Sequence, residues 1–252
     1  MRQPVELNQV FAPPGSGETE IIMKITWIGQ AGLYIEFDDL KVMIDPYLSN
    51  SVVKVNPANF RRYPVDESVF DYEPDVMIFT HDHLDHYDPE TAPVFFAREH
   101  KMTVLSPTSV YLKARDHKNG HNYVEFNRHT RWTQNGVRFY SVKATHSDPM
   151  AIGVVIEELS SGKKLYITGD TLYNSEIFED IPKDIYAVFL PINGVGNNMN
   201  MDDAADFAKK VNAKYTVPLH FGLFDELCAE SFACENKIVP TPFKGIKMEV
   251  YL

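Results

Sequence analysis

The 252-residue chain carries 24 Lys and Arg against 35 Asp and Glu, a formal charge of −11. That balance disfavours a nucleic-acid partner, whose phosphates need clustered cations to displace counterions. No stretch reaches the roughly 20 apolar residues of a membrane span and no secretory signal is legible, so a cytoplasmic protein without a membrane partner is expected, folded as one domain over residues 1–252.

Residues 1–20, with Pro13, Pro14, Gly15 and Gly17, read as a peripheral lead-in. Runs at 21–27, 32–37 and 41–44, separated by Gln30-Ala31 and Asp38-Asp39, have the pattern of an antiparallel meander that ends at Asp45-Pro46. Residues 47–74 form a long excursion of the kind that often carries substrate contacts. An apolar run, Asp75-Val76-Met77-Ile78-Phe79, then predicts a buried strand, and Asp88-Pro89-Glu90 predicts a helix start with Asp88 as N-cap, disturbed early by Pro93.

Further strands are expected at 102–105, 123–126, 137–144, 152–157, 164–168, 185–189 and 215–219, with helices at 109–117, 202–211 and 224–234. The last helix would place Cys228 and Cys234, six residues apart, on different faces, so they make neither a disulfide framework nor a metal pair. An alternating run at 246–252 closes the chain. Two sheets whose outer faces need cover give a four-layer αββα sandwich of the α/β class.

Chemistry concentrates at the ends of these strands. Within Thr80-His81-Asp82-His83-Leu84-Asp85-His86, two-residue alternation puts His81 and His83 on one side, and a turn at Leu84 swings Asp85 and His86 toward a neighbouring point. His146 follows Lys143-Ala144-Thr145, Asp170 follows Tyr166-Ile167-Thr168-Gly169, and His220 follows Val217-Pro218-Leu219, each at a strand's carboxyl end. Seven imidazoles and carboxylates of this kind suit two divalent ions, Zn, Mn or Fe. Asp170 has two oxygens with which to bridge them, and Asp85 or Asp170 can accept the proton of an attacking water.

His81-x-His83-x-Asp85-His86, then His146, Asp170 and His220 in that order, resembles the metallo-β-lactamase superfamily of binuclear hydrolases. The resemblance implies that His81, His83 and His146 hold the first metal, that Asp85, His86 and His220 hold the second, and that Asp170 bridges. Asp45 resembles the early aspartate that supports the metal loop from behind. Ala144-Thr145-His146-Ser147-Asp148-Pro149, Gly169-Asp170-Thr171-Leu172-Tyr173 and Pro191-Ile192-Asn193-Gly194 are similar to the L-ascorbate-6-phosphate lactonase branch, whose members are longer.

The expected activity is opening of a small anionic ester or lactone, with a sugar-acid lactone phosphate as the single best substrate. Alternatives are a phosphodiesterase or phospholipase-like hydrolase of the same fold, or a non-hydrolytic di-iron redox or sensor module. The amides and glycines of 191–198 are candidates for an oxyanion cradle. Arg61 with Arg62, or Arg128 with Arg131, are candidates for a phosphate clamp. His100, His117 and His121 are expected at the surface and Trp27 and Trp132 in packing roles; the sequence leaves homo-oligomerisation open.

Overall fold

A computed structural model describes residues 23–248. Among the described residues, thirteen strands form two mixed sheets. In the first, β1 (Lys24–Gly29), β2 (Gly32–Phe37) and β3 (Leu40–Ile44) make the expected meander. Parallel strands β4 (Val76–Ile78), β5 (Thr103–Ser106) and β6 (Asn122–Glu125) extend it beyond β3, and β13 (Lys244–Ile246) borders β1 at the other edge. The second sheet runs β12-β11-β10-β9-β8-β7, built from β7 (Arg131–Gln134), β8 (Val137–Lys143), β9 (Ile152–Glu158), β10 (Lys164–Ile167), β11 (Ile185–Pro191) and β12 (Tyr215–Leu219).

The inner faces meet in one apolar core, from Ile25, Leu33, Val42 and Ile78 on one sheet to Phe139, Val154, Ile167, Phe189 and Val217 on the other. Helices α1 (Ala92–Phe96) and α2 (Thr108–Ala114) pack on the outer face of the first sheet through Phe95, Phe96 and Val110. Helix α3 (Met201–Val211) covers the second with Ala204, Phe207 and Ala208. The four layers are those expected. No helix among the described residues is long and apolar enough to cross a membrane.

Strand direction decides where the chemistry gathers. Because β1 and β3 both lie antiparallel to β2, and β4 parallel to β3, the carboxyl ends of β1, β3 and β4 share one edge. The same reasoning through β9 gives β8, β10, β11 and β12 a common direction. Cross-sheet hydrogen bonds, Ile152 N to Thr80 O (3.0 Å) and His220 N to Gln30 O (3.0 Å), bring the two edges together.

Local expectations fail where polar groups intervene. Helix α1 starts at Ala92, because Asp88 spends its carboxylate on Glu90 N and the Thr91 hydroxyl. Pro93 then falls in the first turn, where its missing N–H costs nothing. Segment 224–234 is not a helix: Asp225 Oδ1 accepts from Gly222 N (2.8 Å) and Leu227 N (3.0 Å), a local turn that competes with helix hydrogen bonds, and only Ala229–Ser231 forms a 3-10 turn. Cys228 and Cys234 therefore sit in irregular chain, both as free thiols. Strand β7, unforeseen, pairs with β8 through an Asn135-Gly136 turn whose residues both have positive φ (43° and 75°). The closing strand begins at Lys244, Met248 is no longer in it, and the rest of the expected run, like the 1–20 lead-in and Ile21, lies outside the described residues.

Candidate metal centre

Strand β4 ends at Ile78, and Thr80 to His86 leave it as a bend followed by a turn in which His86 N and Tyr87 N both donate to His83 O (3.0 and 2.8 Å). That turn brings Asp85 and His86 round to a second group of donors, with the His86 ring against His81 at 3.9 Å between centroids. His146 arrives from the end of β8, Asp170 from β10 and His220 from β12. All seven predicted ligands converge. Donor atoms of His81, His83 and His146 form one group within 4.8 Å, those of Asp85, His86 and His220 another, and Asp170 groups with His81 and His86, one from each.

Within the first triad, His83 Nδ1 and His146 Nε2 stand 3.1 Å apart. In the second, His220 Nε2 lies 3.2 Å from both Asp85 Oδ2 and Asp170 Oδ2, and His86 Nε2 lies 3.3 Å from Asp170 Oδ2. His81 Nε2 and His86 Nε2 are buried without a hydrogen-bond partner. Orphaned ring nitrogens beside carboxylates in a buried cluster are what a cation would satisfy, so this set of imidazoles and carboxylates fits divalent metal.

The two triads differ in charge. Burial drives His81 well below its ordinary range, helped by His86, and burial also lowers His146, so both rings favour the neutral form a metal would need. Burial opposes charge at His86 and His220 too, but the Asp170 carboxylate beside both outweighs it, holding His86 well above its ordinary range and His220 at about 10. Burial would raise Asp85 and Asp170; their imidazole neighbours overcome it and keep both carboxyls below the usual range.

The supporting groups come from all over the chain. Asp45 is not a plain turn residue: at φ 42° and buried, its Oδ1 accepts from Thr80 N (2.8 Å), and its Oδ2 from Thr80 Oγ1 (2.5 Å) and His86 Nδ1 (2.8 Å). Asn198 Nδ2 donates to Asp170 Oδ2 (2.8 Å), Asn193 Nδ2 lies 2.9 Å from His220 Nδ1, and Ser147 Oγ lies 3.2 Å from His83 Nε2. Sequence reasoning singled out loop 191–198 for amides toward substrate, whereas its asparagines engage the cluster itself. Gln30 and Thr80 went unnoticed. A glutamine in a two-residue hairpin loop, where positive φ favours Gly or Asn, was the available signal for the first.

Other candidates are engaged elsewhere. Arg128 binds Asp180 through Nε (2.6 Å) and Nη2 (2.9 Å), Arg131 lies over the Tyr140 ring, and Arg62 pairs with Glu226. Arg61 Nη1 donates to the carbonyls of Tyr47 (2.8 Å) and Ser49 (3.3 Å) within the 47–74 excursion, so it helps to shape that loop. His121 is buried rather than superficial, its Nε2 2.9 Å from Phe96 O. Trp27 packs as expected, stacked on Phe221.

Residues 41–221, which span all seven converging side chains, match the β-lactamase superfamily domain. The chain belongs to this superfamily. Among β-lactamase superfamily relatives, a UPF0173 protein of Pyrococcus furiosus is 28% identical over 84% of this chain and 90% of its own length. A protein of Ligilactobacillus salivarius named a UPF0173 metal-dependent hydrolase is 28% identical over 80% of this chain and 86% of its own. The solved structure of Igni18, a metallo hydrolase from Ignicoccus hospitalis, shares the fold with a TM-score of 0.71 at 21% identity, covering 91% of this chain and 99% of that one.

Proposed function

We propose that this metal-dependent hydrolase opens a small, hydroxyl-rich ester or lactone, a sugar-acid lactone being the best single substrate. One observation carries the reading: His83, Asp85, Asp170 and His220 open on a cleft of about 470 Å³ that Gln30, Asn56, Asn59, Asn193 and Asn198 also line. Amides in a cleft match hydroxyl groups by hydrogen bonding. No Lys or Arg lines the cleft among the described residues. The phosphate of a substrate such as L-ascorbate 6-phosphate would therefore have only the cations to balance it, which favours the lactone ring over the phosphate as the recognised part.

The seven residues would hold divalent cations, which when bound would supply Lewis-acid polarisation and lower the pKa of a water toward neutrality. His81, His83 and His146 would hold one ion, and Asp85, His86 and His220 the other. Asp85, steadied by Gln30 Nε2 at 2.8 Å, is the group placed to take the water's proton and return it to the leaving alkoxide, with Asp170 as its partner. Val52 and Phe224 give the cleft an apolar side that excludes bulk water.

The test is to strip the protein of metal, reload it with Zn, Mn or Fe, and assay lactones, thioesters and phosphodiesters, phosphorylated and not. Lactone turnover that returns only with metal is expected. Replacing His83 with Ala should abolish metal retention and turnover together. Turnover that persists without metal overturns the mechanism, and turnover of a chromogenic phosphodiester with none of any lactone replaces the substrate class by a phosphodiester.

A further inference from the structure

Gln30 is placed oddly for a residue with no apparent duty. It occupies the β1–β2 loop at φ 51°, a conformation non-glycine residues rarely adopt, and is only 1% exposed. Three hydrogen bonds hold it there: its carbonyl accepts from Trp27 Nε1 (2.9 Å) and His220 N (3.0 Å), and its Nε2 donates to Asp85 Oδ2 (2.8 Å). The same Nε2 lies 3.1 Å and 3.2 Å from the ring nitrogens of His220. One residue thus touches two members of the second triad through its side chain and fixes the backbone of one of them. It has no such contact with His81, His83 or His146.

We infer that Gln30 is a positioning residue that sets the strength of the second metal subsite independently of the first. The inference rests on the reading that these residues hold divalent ions. Asp85 sits in a turn, and its Oδ2 is the oxygen that faces His86 (3.9 Å) and His220 (3.2 Å). An amide N–H on that oxygen fixes the carboxylate rotamer before any ion arrives, so less ordering remains for binding. Strain at φ 51° is retained because the Trp27 and His220 hydrogen bonds over-determine the loop. The first triad takes its support elsewhere, from Thr80 Oγ1 near His81 Nδ1 (3.1 Å), Ser147 near His83 and the Asn197 carbonyl 3.2 Å from His146 Nδ1. None of these first-triad supports touches Gln30, so loss of its amide falls on the second subsite.

Calorimetric titration of metal-stripped full-length protein with Zn²⁺ alone reads this directly. Gln30→Asn tolerates the positive φ and keeps an amide, but is one methylene too short to reach Asp85; Gln30→Met keeps length and volume without the donor. Both should weaken the second binding step by about 10–100-fold and leave the first unchanged. A parent chain that takes up no Zn²⁺ overturns the metal reading itself. Two-step uptake by the parent, with Gln30→Asn and Gln30→Met indistinguishable from it or weakening both steps alike, overturns the role of Gln30 alone. Recovery of parental affinity in Gln30→Met would also overturn it, since bulk without a donor would then suffice.

Discussion

At Gly169 the backbone turns at φ 61° immediately before Asp170, and a Cβ there would lie 2.7 Å from Ile152 O and 3.1 Å from Thr80 Cβ. Those atoms belong to the contact that joins the two sheets under the metal loop. Gly169→Ala should cost about 2–4 kcal/mol from backbone strain and crowding, measurable as a lowered urea midpoint. Asp45 poses a different test. Its two oxygens serve three donors, and an amide can accept at only one of its two positions, so Asp45→Asn leaves Thr80 or His86 Nδ1 unpaired. Competition against a chelator should show metal affinity reduced about 10–100-fold. The superfamily resemblance already implied that Asp45 supports the metal loop, whereas its three donors and the atoms that crowd Gly169, Ile152 O and Thr80 Cβ, show only in the structure.

At the scale of elements, the apolar runs and their bounding residues located most strands to within a residue or two, since a central strand buried on both faces must be apolar throughout. Helix α3 was equally legible: Asn200 Oδ1 caps Asp202 N and Asp203 N, and the buried Ala204, Phe207 and Ala208 fall on one face. Strand β7 escaped because it is an edge strand with half its residues exposed, although Asn135-Gly136 announced the hairpin. The end of β8, three residues before His146, is pinned by Asp180, which accepts from Lys143 N (2.9 Å), Arg128 and His129. The Arg128 hydrogen bonds hold the Asp180 carboxyl below its ordinary 3.8, against burial. A depressed carboxyl contributes stability that is fully present above about pH 3.8 and is lost as pH falls below it. The stability difference between the parent and Asp180→Ala, followed by denaturation from pH 6 to pH 2.5, should therefore shrink below pH 4; a constant difference would assign Asp180 a purely steric role.

For the whole molecule, metal and proton compete for the same atoms. In the metal-free protein His220 titrates near 10, so its imidazolium contributes stability that is complete below about pH 6.5 and disappears as pH rises through 10. Metal uptake at pH 7 must expel that proton, and affinity should rise with pH across this window. Titrations in buffers of different ionisation heat should give different apparent enthalpies; identical values would mean no proton leaves. Saturating metal should in turn raise the unfolding temperature, with about 2.7 kcal/mol of added stability at 100 times the dissociation constant.

The seven converging side chains, the layer order and the superfamily could be read from the sequence because each depends on short-range pattern: donors placed directly after apolar runs, with strand and helix periods that repeat locally. What only the tertiary structure decided is which polar groups stand behind those ligands. Gln30 reaches Asp85 across 55 residues of chain and lies beside His220 across 190, while Arg128 pairs with Asp180, Arg62 with Glu226 and Arg61 Nη1 with backbone carbonyls. Such pairings are set by how two sheets face one another, and no local spacing encodes the distance between residues that meet only once both sheets are packed.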